Sequence, residues 1–341
     1  METCERMKRT CENILKESLQ QYAGARVGTL LRKGPTFMFD ILLSASAYAL
    51  IIVVGAVCSH TGFIKSETKN VFSRLLFNIT LPCTVVYSFV GFQFDASLLL
   101  VSAVSFVATV VGFGGAMLFT RRRKPEDRMI PTLMGFGYNI GCFALPFISS
   151  VVGPMGVVIA CMFDLGNTIL VSGGAYAIVR TFILKKRTGG VIGSLIRTTL
   201  KSPALDCYLV LIALSLVGIS VPEQLGTLIH PMAQANSFLA MFMIGLVFEW
   251  RIDKRHLIEV CKVLGWRLVV ALTFCAFVYF VVPMSTDLRN VTILCLLAPI
   301  MSVGLVYIIW VNGDTQTAGF AISLSVVVAL VLMTAASVLL M

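Results

Sequence analysis

The residues from Gly135 to Phe147, GFGYNIGCFALPF, combine features that an apolar helix cannot carry without a break. Pro146 lacks a backbone N–H and frees the carbonyl of Cys142, and the glycines at 135, 137 and 141 expose backbone. Asn139 adds a side-chain amide to the same stretch. Freed backbone groups beside an amide can bind a small anion. In lipid such a break is tolerated only where protein or water covers it.

A related interruption, LLAPIMSVGLVY, contains Pro299, 153 residues after Pro146. Matched breaks in two repeats indicate a binding site near the middle of a membrane, where the N-termini of half-helices direct partial positive charge at an anion. The alternative is a pair of ordinary proline kinks at helix contacts. The candidate substrate-binding residues are Asn139, Gly141, Pro146, Pro299, Ser302 and Gly304.

Asp164 and Asn167 lie three residues apart in CMFDLGNTIL and therefore share one face of a helix. A carboxylate within a membrane is costly and is a functional hypothesis by default. Three roles remain open for Asp164: a proton carrier, a cation ligand, or a scaffold for the broken helix. The plainer alternative is a carboxylate that is hydrogen-bonded to backbone exposed at the break.

Four further polar residues are candidates to line a cavity, although each is equally compatible with a hydrogen bond between helices. They are Asn78, Thr84, Asn236 and Ser237. No lysine or arginine is expected in the middle of the membrane beside the breaks. The three histidines lie near predicted helix ends without ligand partners at useful spacing, so neither a metal site nor a cofactor is predicted.

The composition indicates which elements must hold these residues. Of 341 residues, 57% are hydrophobic and only 13% charged, whereas a soluble protein carries about 25% charge. Apolar runs of about 18 or more residues predict membrane helices. The fold class is therefore an all-α polytopic membrane protein with ten predicted helices, near residues 41–59, 70–91, 97–120, 129–150, 154–179, 203–220, 232–249, 262–282, 290–311 and 316–340.

The ten predicted helices divide into five plus five around a basic loop. Because each half has an odd number of spans, two related halves would cross the membrane in opposite senses, which is an inverted-topology repeat. The predicted organisation is a polar N-terminal segment, a first repeat, a basic cytoplasmic loop and a second repeat, over residues 1–40, 41–180, 181–202 and 203–341.

Basic residues concentrate in loops on one predicted face, and such loops are typically cytoplasmic. RRRKPEDR holds five lysines and arginines, and the loop from Arg180 to Lys201 holds six. This predicts a multi-pass protein of the plasma (inner) membrane with both termini outside. The first forty residues carry seven lysines and arginines, which opposes that orientation unless the native protein starts at Met38.

Several function classes are disfavoured. The net charge of +10 is explained by the basic loops, so nucleic acid is not an expected partner. The ten cysteines include no CxxC pair, which argues against a disulfide framework or a zinc site. GFGYNIG is not a GxGxxG motif, and HExxH and GxSxG are absent, so an enzyme is not predicted.

Several stretches resemble the auxin efflux carrier family, which includes plant auxin exporters and bacterial malate-permease-like proteins. NIGCFALPFISSVVG places Asn139, Pro146 and Gly153 seven residues apart, as in the family's fourth helix. GFIKSETKNVFSRLLFNITLPCTVVYSF, with Leu81–Pro82, is similar to the first loop and second helix. SPALDCYLVLIALSLVGISVPE, SFLAMFMIGLVFEW and APIMSVGLVYIIWVNGDTQTAGFAISLSVVVALVL resemble the sixth, seventh, and ninth to tenth helices.

The resemblance implies ten helices in two inverted repeats, with broken helices 4 and 9 crossing at the substrate site. It also implies export or exchange of carboxylates such as indole acetate, malate and malonate. Two positions depart from the family pattern: Gly304 replaces a second proline of plant members, and Val303 replaces an asparagine of bacterial members. The substrate contacts from helix 9 are therefore not transferable from any one member.

The predicted function is a secondary carrier of small organic anions that works by alternating access, with one half rocking against the other. Expected partners are the anion, H⁺ or Na⁺ as coupling ion, the lipid bilayer and, in a homodimer, a second copy of the chain. A sodium-coupled symporter of the bile-acid type is the first alternative, and a membrane receptor or channel is the second. A channel should show a continuous polar lining, which the sequence does not display.

Overall fold

The computed structural model describes residues 35–92, 94–185, 203–249 and 254–341. Most of the predicted N-terminal segment and most of the basic loop 181–202 lie outside these residues. The described part of the chain is helical, and its extended pairing is limited to the isolated bridges Val90–Val221 and Tyr138–Ile300.

The helices of the first half follow the apolar runs of the sequence. π-Helical turns at Leu76–Thr80, Ile140–Ala144, Leu170–Gly174 and Val179–Ile183 connect or extend several of them. In chain order, the α-helices are α1 Pro35–His60, α2 Ser66–Leu75, α3 Leu81–Ser88, α4 Leu98–Phe119, α5 Pro125–Met134, α6 Leu145–Val151, α7 Pro154–Ile169 and α8 Ala175–Ile178.

The helices of the second half are longer and contain fewer irregular turns. In chain order they are α9 Pro203–Leu216, α10 Glu223–Leu246, α11 Lys254–Phe280, α12 Thr286–Leu296, α13 Val303–Trp310 and α14 Thr315–Leu340.

Within the described residues, six helical stretches are long and apolar enough to cross a bilayer, which agrees with a membrane-embedded, multi-pass, all-α protein. They are Met38–His60, Thr68–Ser88, Leu98–Phe119, Pro154–Ile183, His256–Phe280 and Thr315–Leu340. Ile140–Val151 and Asp206–Leu216 are shorter apolar helices. These stretches support a helical protein that crosses a membrane several times, and the number of ten crossings stays a prediction.

Both predicted breaks are present. The fourth apolar run consists of α5 and the helix Ile140–Val151, separated by Gly135–Asn139, where Gly137 has a φ of +71°. Only glycine adopts this conformation without strain. The ninth run consists of α12 and α13, separated by residues 297–302.

The densest helix packing divides the described helices into two groups. The first group, called the outer group, contains α1, α2, α3, α9 and α10. The second, called the crossover group, contains α4 to α8 and α11 to α14. Each group draws helices from both halves of the sequence, so the packing does not follow the predicted division into two rigid halves.

Close backbone approach fixes one helix pair in each group. A Cβ on Gly245 of α10 would lie 2.1 Å from the carbonyl oxygen of Ile52 in α1. A Cβ on Gly166 of α7 would lie 2.1 Å from the carbonyl oxygen of Ser102 in α4. In membranes, small residues permit such contacts, and van der Waals packing then holds the helices together.

Candidate functional site

The two breaks meet each other. Tyr138 and Ile300 form an antiparallel bridge, and the Asn139 N–H donates to the carbonyl oxygen of Pro299 at 3.0 Å. Each break therefore supplies hydrogen-bonding groups for the other where helical partners are lacking. Sequence spacing predicts that two such breaks lie near each other, and the structure joins them directly.

The contact between the breaks, formed by Tyr138–Asn139 and Pro299–Ile300, is here called the joint. Asn139 lies at this joint with its side chain turned to the second break. Its Nδ2 donates to Ser302 Oγ at 2.8 Å, and its backbone carbonyl accepts the Ala144 N–H at 3.2 Å. Asn139 is 6% exposed. It directly precedes the helix Ile140–Val151, as Ser302 directly precedes α13. Two half-helix N-termini, which carry partial positive charge, are thus adjacent.

Asn167 holds the backbone of the first break. Its Oδ1 accepts the Tyr138 N–H at 3.1 Å, and its Nδ2 donates to the Tyr138 carbonyl at 3.0 Å. The same Nδ2 donates to Asp164 Oδ1 at 3.0 Å. Asn167 therefore satisfies both backbone polar groups of Tyr138, which explains a buried amide in an apolar helix.

Ser325 of α14 performs the corresponding role at the second break. Its Oγ accepts the Ile300 N–H at 3.0 Å, and Ser325 is 3% exposed. The sequence offered only two serines, Ser323 and Ser325, within AISLSVVV as a signal. A serine in an apolar helix usually bonds to its own backbone, so sequence reasoning missed Ser325.

Arg267 corrects the expectation that no basic residue lies beside the breaks. Its guanidinium donates to the carbonyls of Gly137 at 2.6 Å and Ala298 at 3.1 Å. These carbonyls follow the C-terminal ends of α5 and α12, where helix dipoles place partial negative charge. The guanidinium also lies 5.3 Å from the centre of the Tyr138 ring. The signal was an arginine within the apolar run GWRLVV of helix α11.

A cavity of about 230 Å³ opens at the joint. Of the predicted site residues, Asn139, Gly141, Ser302, Asp164 and Asn167 line it. A cavity of this volume can hold a small organic molecule. Other lining residues include Phe77, Leu81, Val171, Tyr208, Met301 and Tyr307.

Three predicted substrate ligands support the joint from outside the cavity lining. Pro146 is buried, and its carbonyl accepts the Tyr48 hydroxyl at 3.1 Å. Pro299 contributes its carbonyl to Asn139. Gly304 provides room for Met134, because a Cβ there would lie 2.7 Å from the Met134 sulfur. Their contribution is to shape the breaks.

Asp164 connects the two packing groups at the edge of the cavity. Its Oδ2 accepts the hydroxyl of Tyr208, which belongs to α9 of the outer group, at 3.2 Å. Asp164 itself belongs to α7 of the crossover group. Tyr208 was not among the predicted site residues, since a tyrosine in an apolar run is most often a packing residue.

The remaining polar candidates separate into three environments. Thr84 and Ser237 line a second cavity of about 490 Å³, here called the polar cavity, together with Ser88, Ser149, His230 and Gln234. Asn236 is fully buried and accepts the Thr80 hydroxyl at 3.0 Å, while its Nδ2 has no partner among the described residues. Asn78 is exposed and donates to the Arg74 carbonyl, so it contributes to neither cavity.

Comparison with known proteins supports transport without naming a substrate. No family model matches the chain. The chain is similar to an uncharacterized transporter. That protein, from Methanothermobacter thermautotrophicus, is 21% identical over 288 residues, which cover 83% of this chain and 92% of the relative. Together with the apolar helices, the similarity supports a multi-pass membrane transporter.

Proposed function

We propose that the protein is a secondary carrier of small organic anions and that the substrate carboxylate binds in the cavity at the joint. One observation carries the proposal: Asn139 and Ser302, at the N-termini of two half-helices, touch each other and line one cavity. Backbone N–H groups at the starts of the two half-helices and the amide of Asn139 can donate to a carboxylate.

The substrate class follows from the size and the polarity of the cavity. Its walls combine hydrogen-bond donors at the joint with the apolar surfaces of Phe77, Leu81 and Val171. This suits carboxylates with a small or flat apolar body, or short dicarboxylates. Indole acetate, malate and malonate, which the resemblance to auxin efflux carriers implies, belong to this class.

The proposed architecture is ten membrane crossings in two inverted five-helix repeats, at residues 41–180 and 203–341. The roles of Asn167 and Ser325 support it, since each lies in the helical run that follows a broken run and accepts the N–H of one bridge residue. Paired breaks that support each other in this way are what an inverted repeat would produce.

The proposed mechanism is alternating access by movement of the outer group against the crossover group. The packing supports these two groups as the moving units, in place of the two sequence halves. The cavity at the joint and the polar cavity both lie between the groups: α3 lines each of them, while Tyr208 of α9 lines the first and Gln234 of α10 lines the second. Opening one and closing the other would expose the substrate to alternate sides.

We place the basic loops in the cytoplasm and both termini outside a plasma membrane. Contacts between three loop regions support a common face for them. Arg123 of the loop before α5 pairs with Glu259 of α11, and His256 Nδ1 lies 3.0 Å from Asp314 Oδ2, just before α14. The ends of α4, α11 and α13 therefore meet at one side, as the proposed topology requires.

The test of the proposal is Asn139→Ala in the purified full-length protein. We expect malate, malonate or indole-3-acetate to raise the thermal stability of the wild type, since a ligand of the folded state stabilises by mass action. Loss of one amide hydrogen bond to a charged ligand should weaken binding by about tenfold or more. The measurement is a thermal-shift titration, followed by uptake of the same labelled anion into proteoliposomes.

Asn78→Ala is the matched control, because Asn78 is an exposed amide that lines neither cavity. It should bind and transport as the wild type does. Unchanged binding and uptake of every tested anion by Asn139→Ala would refute the site. Single-channel currents in a planar bilayer would refute the carrier mechanism in favour of a channel.

A further inference from the structure

The cavity at the joint contains a charge of the wrong sign for its proposed substrate. Among the described residues that line it, Asp164 is the only one with a charged side chain, and lysine, arginine and histidine are absent from that lining. Arg267 lies nearby, but its guanidinium donates to the carbonyls of Gly137 and Ala298. Within this lining, the direct donors to an anion are thus the half-helix N-termini and the Asn139 amide, while Arg267 acts on an anion only from outside the lining.

An ionised Asp164 would repel an anion in this cavity. Two like charges that share a site of low dielectric constant interact strongly, and the usual outcome is that one of them takes up a proton. Backbone N–H groups at the joint can only donate to a substrate carboxylate, which favours its ionised form. The Tyr208 hydroxyl beside Asp164 can accept as well as donate, so Asp164 is the group that can carry the proton.

We propose that Asp164 is the proton-binding site of this carrier and that an anion occupies the cavity at the joint together with a proton on Asp164. This inference rests on the proposed function and names its coupling ion. For a monoanion the loaded site then holds no net added charge. Transport is a symport of one proton with one monoanion, driven by a pH difference and insensitive to membrane potential.

The hydrogen bonds of Asp164 favour a proton over a sodium ion. Asn167 Nδ2 donates to Oδ1, and the Tyr208 hydroxyl donates to Oδ2. A sodium ion needs several oxygen lone pairs directed at it. Here donors approach both carboxylate oxygens, and Asn167 Oδ1 already accepts the Tyr138 N–H. The arrangement solvates a carboxylate and can also accommodate a carboxylic acid.

Among the described residues, Asp164 is the only carboxylate of this network, and the groups that face it are thiols and a phenol. They are the thiols of Cys161 on its own helix, Cys142 at the first break and Cys295 on α12, together with the Tyr208 phenol. Thiols and phenols are ordinarily neutral at physiological pH, with reference pKa values of about 8.5 and 10. None of them supplies a charge that would hold Asp164 ionised when an anion arrives.

Protonation of Asp164 is connected to both parts of the proposed mechanism. Through Asn167 it touches the Tyr138 peptide at the first break. Through Tyr208 it touches the outer group. A protonated Asp164 no longer presents two anionic oxygens to these donors, so the bond between the groups weakens when proton and anion are both bound. Movement would then be favoured in the loaded state.

The experiment compares anion affinity against pH in wild type, Asp164→Asn and Asp287→Asn. Indole-3-acetate and lactate serve as probes, because carboxylic acids remain monoanions between about pH 5.5 and 8.5. Calorimetric titration of the purified full-length protein gives the affinity. The affinity of the wild type for the anion should fall by up to about tenfold for each unit by which the pH rises, which is the limit for one linked proton. Asp287→Asn, an exposed residue of α12, should follow the wild type.

Asp164→Asn should bind the anion with an affinity that does not change with pH, since its amide mimics the neutral acid. In proteoliposomes it should exchange internal for external anion but should not accumulate anion in response to a pH difference. Replacing Na⁺ by choline should change neither the anion affinity nor the anion uptake of the wild type or of Asp164→Asn.

Each other result has a distinct meaning. An anion that binds with the same pH profile in wild type and Asp164→Asn overturns the proton site but leaves the carrier function standing. Affinity that depends on Na⁺ and not on pH also overturns it, in favour of a cation site. If neither probe, nor malate or malonate, binds at any pH, the proposed function fails, and the linkage fails with it.

Discussion

Three side chains satisfy the backbone that the two breaks leave without helical partners. Asn167 forms hydrogen bonds with the N–H and the carbonyl of Tyr138, and Ser325 accepts the Ile300 N–H. Arg267 donates to the carbonyls of Gly137 and Ala298. Buried backbone groups without partners are costly, most of all where no water is available. The polar residues of this membrane protein therefore serve first to make a broken helix tolerable, and the cavity exists because that condition is met.

Arg267→Met should destabilise the fold strongly because it leaves the Gly137 and Ala298 carbonyls without donors. At about 1–3 kcal/mol for each of the two unsatisfied carbonyls, the loss in the free energy of unfolding should be about 2–6 kcal/mol. Arg267→Lys keeps a positively charged donor that can bond to one of the two carbonyls, so it should lose less stability. Thermal unfolding in detergent measures both, and Arg122→Met, at an exposed loop position, is the control. Equal stability of Arg267→Met and the control would show that the two bonds contribute nothing.

At the scale of elements, the shape of each break depends on backbone conformations that only certain residues adopt. The π-helical turn Ile140–Ala144 runs directly into α6 and accommodates Pro146, which lacks the N–H for a regular helical bond. Gly137 has a positive φ just before this turn. The break is therefore an ordered connection between two half-helices with a defined backbone conformation, and a local change there should alter the cavity.

Gly137→Ala tests this connection against Gly153→Ala. Both glycines have positive φ, +71° and +85°, so both variants should lose about 1–3 kcal/mol of stability from backbone strain. Only at Gly137 would the new Cβ meet neighbours, 2.6 Å from the Met301 sulfur and 2.9 Å from Val171 Cγ2, whereas nothing lies within 4 Å at Gly153. Met301 and Val171 line the cavity.

We therefore expect Gly137→Ala to lose anion affinity in a thermal-shift titration and Gly153→Ala to retain it. If both variants bind equally well, the packing of Met301 against the break does not shape the cavity. If both lose binding, the effect comes from backbone strain in general.

At the scale of the whole molecule, contacts within the two packing groups differ in kind from contacts between them. Gly245 and Gly166 allow backbone contact inside each group. Between the groups, single hydrogen bonds recur, such as Tyr48 to the Pro146 carbonyl and Tyr208 to Asp164. Interfaces of the first kind hold a rigid unit together, and those of the second kind can be exchanged at small cost.

Gly245→Ala and Tyr48→Phe should separate these two kinds of contact. Gly245→Ala forces α1 and α10 apart and should lower the free energy of unfolding by about 1–3 kcal/mol, as overpacking commonly does. Tyr48→Phe removes one bond between the groups. It should change stability by about 1 kcal/mol or less but alter the rate of anion uptake in proteoliposomes. An unchanged rate in Tyr48→Phe would show that this contact is not remade during transport.

Local pattern was enough to select most of the residues that the structure brings together at the candidate site. Apolar runs determined that the chain is helical and enters a membrane, because backbone in lipid must bond within its own segment. Proline and glycine determined where two helices break, because their limits on the backbone are local. Polar side chains within apolar runs are costly to bury unless they form hydrogen bonds. This is why the sequence singled out Asn139, Ser302, Asp164 and Asn167.

Only the tertiary structure decided which residues complete the joint and which helices pack together. Arg267, Ser325 and Tyr208 lie far along the chain from the first break and reach it through helix packing, which has no signature in local spacing. The same packing mixes helices from both halves in each group and removes Asn78 from the candidate site. Long-range contacts depend on how whole helix surfaces fit, so spacing along the chain cannot determine them.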